Sequence, residues 1–118
     1  MSGFKINSEQ MAKLAGRLSY LSARHNVLVQ NVANLETNDY KAKDLEFKGY
    51  LDQQTQDGQA LKVPDVKMTT SSADPDAKGN NVVVEQQMAD LADNSVEFFF
   101  ATELIKKNLA MLKYASAG

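Results

Sequence analysis

Apolar side chains recur at alternating steps of three and four residues at both ends of this chain, and no other feature narrows its fold as much. In the first run, Met11, Leu14, Leu18, Leu21, Leu28, Val32 and Leu35 form a heptad stripe that only His25 interrupts. A straight helix over that span measures about 37 Å at about 1.5 Å per residue. Asn7 is placed to cap its start, with Gln10 three residues on as the capping-box partner. Gly16, in the interior, costs about 1 kcal/mol of helix propensity and leaves room for a close neighbour.

The second run passes through Val84, Met88, Leu91, Ser95, Phe98, Thr102, Ile105, Leu109 and Leu112. Ala92, Phe99, Phe100, Ala101, Leu104 and Met111 widen it well beyond a two-helix seam. Phe98, Phe99 and Phe100 cannot share one face, because successive helical residues turn by about 100°. A single partner helix cannot cover such a surface. The expected fold is mainly α. Long N- and C-terminal heptad helices form a helical hairpin or coiled coil, and other chains bury the apolar face left over. Leu14, Leu18, Leu21, Leu28, Val32, Met88, Leu91, Phe98, Phe99, Phe100, Ile105, Leu109 and Leu112 are the expected assembly interface.

Between the helices the chain holds Pro64, Pro75 and clusters of Asp, Gln, Ser and Thr. This is irregular connecting structure with room for one or two short β-strands at Leu61, Val63, Val66 and Met68. Pro64 confines any such strand to an edge. Thr69 to Asn81 reads as loop. The expected organisation is one structural unit: residues 1–35 as the first helix, 36–81 as hinge and middle segment, and 82–118 as the second helix.

Composition removes several function classes. The chain has 13 basic and 15 acidic side chains, and a formal charge of -2 gives no field to gather nucleic acid or an anionic membrane. With no cysteine, neither a disulfide nor a thiolate site can be built. Met1-Ser2-Gly3-Phe4-Lys5 lacks a secretory apolar core, and no apolar run is long enough to span a bilayer, so direct lipid insertion is not expected. A single histidine excludes a multi-histidine metal site, and no nucleophile and base pair can be assembled. An enzyme is not expected, nor is a cofactor.

Three candidate sites have simpler readings. Asp74 to Glu85 approaches a calcium loop, with carboxylates at its first, third and last positions and a glycine at the sixth. Lys78 stands where the fifth position must offer oxygen, so a turn leading to an Asn N-cap is the better reading. His25 is expected near Ser95 in an antiparallel hairpin, as a polar residue fixing the register of the seam. Asp93 and Glu97, and Glu103 and Lys107, lie four residues apart, the spacing of a solvated or inter-subunit helix face rather than of acid-base catalysis.

The stretch from Gln30 to Phe47 resembles the signature of bacterial flagellar rod and hook axial proteins, most closely that of the proximal-rod B subunits. Asn31, Ala33, Asn34, Thr37, Tyr40 and Lys41 hold the matching positions, while Asn38-Asp39 replaces the usual Pro-Gly pair. Asn and Asp tolerate left-handed backbone better than other non-glycine residues, so the turn can persist. Gly79-Asn80-Asn81-Val82 matches the turn before the family's last helix, with Val83 where Asp is common.

The resemblance implies a structural subunit of the proximal rod, with its terminal helices stacked in a torque-transmitting drive shaft. It implies contacts with copies of itself, other proximal-rod proteins, the membrane-ring protein and its rod adaptor. It also implies a place in the periplasmic part of the basal body after export by the flagellar type III apparatus. A soluble chaperone or adaptor that holds a partner helix is the alternative the residues alone leave open.

Overall fold

The computed structural model describes residues 8–47 and 66–117. Helix α1 spans Ser8–Ala33, strands β1 and β2 span Lys43–Phe47 and Val66–Thr70, and helix α2 spans Val84–Ala117. The fold is thus mainly helical, with two long helices at the chain ends and a small antiparallel sheet between them. Asn7, Leu61, Val63 and Pro64, for which a cap and a strand are expected, lie outside the described residues.

The helices run antiparallel. Arg17 meets Glu97, Leu21 meets Asn94 and Asn31 meets Gln87, so partners descend α2 as they ascend α1. Among the residues of α2 whose side chains are described, the buried ones are Gln87, Asn94, Ala101 and Asn108, a strict repeat of seven. The expected stripe is therefore turned by one residue at every other position. Val84, Leu91 and Ile105 stay half-buried near the seam, while Met88, Ser95 and Leu109 are exposed. The cause is polar: Asn31 Nδ2 donates to Gln87 Oε1 at 2.8 Å and Asn94 Nδ2 donates to the Leu21 carbonyl at 2.8 Å. These two bonds fix the rotation of α2 about its axis.

The apolar core lies where the sheet meets α1. Tyr20, Leu21 and Leu45 are buried together, with Ala23, Val27 and Phe47 packed around them. A two-stranded hairpin is marginal alone and needs such a platform. Strand β1 alternates acidic and apolar residues through Asp44-Leu45-Glu46-Phe47, the period of a strand with one covered face. Leu45 opposes Met68 and Phe47 opposes Val66 across the ladder. The expected loop from Thr69 is corrected by one element end: Thr69 and Thr70 close β2, and the irregular stretch begins at Ser71.

Polar contacts lock the sheet to α1. Tyr20 donates its hydroxyl to the Leu45 carbonyl at 2.7 Å. Arg24 grips Asp44 with Nε to Oδ1 at 2.8 Å and Nη2 to Oδ2 at 3.1 Å, a two-pronged pairing that fixes orientation as well as charge. Arg17 pairs with Glu97 and sits 5.0 Å and 5.1 Å from the Tyr20 and Phe47 ring centres, joining α1, α2 and β1.

Candidate functional site

Two features stand out: a knot of amides where the helices and the sheet meet, and the surface of α2 that the hairpin leaves uncovered.

Asn31 is the centre of the knot and is fully buried. Its Nδ2 donates to the Lys43 carbonyl at 2.6 Å and to Gln87 at 2.8 Å. Its Oδ1 accepts from the Lys43 amide at 3.0 Å and the Tyr40 hydroxyl at 3.2 Å. One side chain thereby ties the end of α1, the start of β1 and the first turn of α2, with all of its amide hydrogen-bonding capacity used.

Asn34 accepts from the Thr37 hydroxyl at 2.9 Å, closing the turn after α1. Asn80 Nδ2 donates to the carbonyls of Asn34 and Thr37 at 2.9 Å and 2.8 Å, and Asn81 Oδ1 accepts from the Ala42 amide at 2.7 Å. Asn81 Nδ2 also reaches the carbonyls of Ser71 and Ala73. Neither asparagine caps α2. The expected Asn N-cap is corrected: Val83 precedes the helix, its carbonyl accepting from the Gln87 amide at 3.0 Å, while Asn80 and Asn81 staple the loops. Asp76 Oδ1 accepts from the amides of Lys78 and Asn80, so the calcium-like stretch is a hydrogen-bonded turn.

Asp39 adopts φ of 61°, the left-handed conformation expected where Asn-Asp replaces Pro-Gly. It packs against Gly79, itself at φ 78°. A Cβ on Gly79 would overlap the Asp39 carboxylate and lie 3.3 Å from its Cα. Lys41 donates to the Gly79 carbonyl, and the Asp39 amide donates to Lys78 at 2.9 Å. Of the motif residues, Asn31, Asn34, Thr37, Tyr40 and Lys41 converge on this knot through their side chains. Ala33 is exposed at the last position of α1.

The chain is similar to the flagellar basal body rod protein FlgB of Bacillus subtilis (strain 168), with 28% identity over 94% of this chain and 95% of that protein. It shares 30% identity with the flagellar basal body rod protein FlgB of Aeromonas hydrophila, covering 86% of this chain and 87% of that one. The chain belongs to the FlgB family of flagellar basal body rod proteins. The likeness extends to FlgB of Cereibacter sphaeroides, 24% identical over the whole of this chain. No family model matches the chain.

Within this FlgB-family chain the expected interface residues divide. Leu21 and Leu28 are buried inside the hairpin and offer no surface to a neighbour. Leu14, Leu18, Val32, Leu91 and Ile105 are half-buried. Met88, Phe98, Phe99, Phe100, Leu109 and Leu112 are exposed, Phe99 and Phe100 by about two-thirds of their surface, at 66% and 65%. Val96 and Tyr114, not among the expected residues, are exposed further, at 69% and 81%.

Phe98 and Phe99 border an open groove of about 390 Å³ between the helices, with Ser22, His25, Asn94 and Thr102 along it. His25 lies by Ser95 as expected, but it is exposed on the groove rim rather than set in the seam. Asn94, 2% exposed, is the polar residue that stands in the seam at this level. Gln87 and Asn94 carry no seam signal in the sequence, because amides on a heptad ladder look like solvent-facing interruptions until a partner carbonyl or amide is placed beside them.

Proposed function

We propose that this chain is a structural subunit of the proximal rod of the bacterial flagellar basal body, assembling through its terminal helices into the torque-transmitting shaft. One observation carries the reading. The hairpin closes on the amide-bearing edge of α2, while Met88, Val96, Phe98, Phe99, Phe100, Leu109 and Tyr114 stay on the surface. Apolar area of that extent on one helix marks a surface meant for other chains. Removing such surface from water is favourable by about 25 cal/mol per Å² of apolar area covered, in the direction of stacking.

The amide knot has a matching role. Asn31, Asn80 and Asn81 fix how β1 and the flanking turns leave the helices, through buried hydrogen bonds. Copies of the chain, other proximal-rod proteins, and the membrane-ring protein with its rod adaptor are the partners this reading names. The site of action is the periplasmic part of the basal body, reached by flagellar type III export. Stacking contacts require no catalysis.

The test is incorporation. A tagged chain carrying Phe99→Asp and Leu109→Asp, expressed in the native host, is expected to keep its helical circular dichroism. It is also expected to be lost from purified basal bodies, with loss of swimming. Electron microscopy showing the doubly charged variant in the rod at wild-type occupancy would remove the proposal.

A further inference from the structure

The side of α2 that faces away from α1 carries a second heptad stripe. Ala89, Asp93, Val96, Phe100, Glu103, Lys107, Ala110 and Tyr114 follow one another at alternating steps of four and three, and all are exposed. Exposed apolar residues taken singly need no explanation, but Val96, Phe100 and Tyr114 lie in one phase on one helix.

Charge divides the same helix. From Val84 to Glu103 it holds Glu85, Asp90, Asp93, Glu97 and Glu103 and no base, and from Leu104 to Ala117 it holds Lys106, Lys107 and Lys113 and no acid. The helix dipole favours this sense of charge only within the terminal turns. It accounts for Glu85, while no base stands in the last turn. The cations of α1 are engaged within the chain: Lys13 with Glu9, Arg17 with Glu97 and Arg24 with Asp44. Asp93 and Lys107 make no ion pair among the described residues.

We propose that this stripe binds the same stripe of a second copy, parallel and displaced by two heptads, so that Lys107 of one copy pairs with Asp93 of the next. The inference rests on the reading that the uncovered surface of α2 is shared between subunits. The same displacement sets Tyr114 over Phe100 and Ala110 over Val96, because each pair is separated by the same two repeats. Two heptads correspond to an axial offset of about 21 Å at about 1.5 Å per residue. Such a contact is heterologous: each copy offers one end and receives at the other, so the series grows without closing. The incoming copy is chosen by charge, and its aromatic ring covers the exposed Phe100 ring.

The absence of cysteine makes the test clean. Full-length chains carrying Phe100→Cys and Tyr114→Cys, mixed under mild oxidation, are expected to form the mixed disulfide several-fold faster than either forms a disulfide with itself. A Ser19→Cys chain sets the background, since Ser19 is exposed on α1. Asp93→Lys and Lys107→Asp are each expected to abolish large species in sedimentation velocity, and their mixture to restore them. Faster self-coupling of Phe100→Cys would mean a closed pair, parallel in register or antiparallel, and would overturn the proposal. Coupling no faster than the Ser19→Cys background, with helical circular dichroism intact, would also overturn it. If coupling fails while Phe99→Asp with Leu109→Asp still excludes the chain from basal bodies, the rod reading stands and this contact falls.

Discussion

Asn31 on α1 and Gln87 in the first turns of α2 are joined by a buried hydrogen bond of 2.8 Å across 56 residues of chain. The bond does two things at once. It sets the rotation of α2, and it leaves the other hydrogen-bonding positions of Asn31 for Lys43 and Tyr40.

Asn31→Asp keeps the shape of the side chain and removes both of its donors, leaving a carboxylate facing Gln87 Oε1 and the Lys43 carbonyl. Each orphaned buried group costs about 1–3 kcal/mol and a charged one more. The expected loss is at least about 3 kcal/mol, read as a fall in the urea midpoint.

Gly79 and Asp39 form the second coupled pair. Gly79→Ala is expected to destabilise by about 1–3 kcal/mol, because the new Cβ meets the Asp39 carboxylate and an L residue is held at positive φ. Asp39→Gly alone is expected to be nearly neutral, since it relieves left-handed strain but loosens the unfolded chain. The double variant should recover part of the loss. A double-mutant cycle with zero coupling would show that the two turns do not press on each other.

Burial raises the Tyr20 pKa above 10.0, with Asp44 adding to the shift and Arg24 and Arg17 opposing it. The folded chain therefore holds this proton more firmly than the unfolded chain. Its contribution is complete below about pH 10 and is lost as pH rises through the raised native value. Tyr20→Phe is expected to cost about 1 kcal/mol at neutral pH through the lost bond to Leu45, and to flatten the alkaline fall in stability. Denaturation midpoints of both chains from neutral to alkaline pH check this.

Leu21 and Phe99 should separate stability from assembly. Leu21 is fully buried, so Leu21→Ala is expected to cost about 2–5 kcal/mol in the isolated chain. Phe99 is 66% exposed, and Phe99→Ser is expected to change isolated-chain stability by no more than about 0.5 kcal/mol while weakening self-association. Thermal melts paired with sedimentation distinguish the two effects.

The heptad runs from Met11 and from Val84 announced two long helices, because apolar periodicity is a local property that each segment carries without its neighbours. The left-handed turn at Asp39 was equally legible, since only a few residue types accept that backbone. Strand β1 was present in the alternation of Asp44-Leu45-Glu46-Phe47 but was absorbed into the hinge motif. A strand so short becomes one only when Val66–Thr70 pairs with it and Tyr20 covers it.

Which edge of α2 faces α1 was not written in either helix. Met88, Ser95 and Thr102 fit the pattern as well as Gln87, Asn94 and Ala101, and hydrophobicity favours the former set. Buried amides that find their partners 56 and 73 residues away decided the matter. Local pattern determines that a helix forms and how wide its apolar surface is. Only the folded chain determines which side it keeps for itself, because the worth of a polar side chain depends on whether a distant carbonyl or amide meets it.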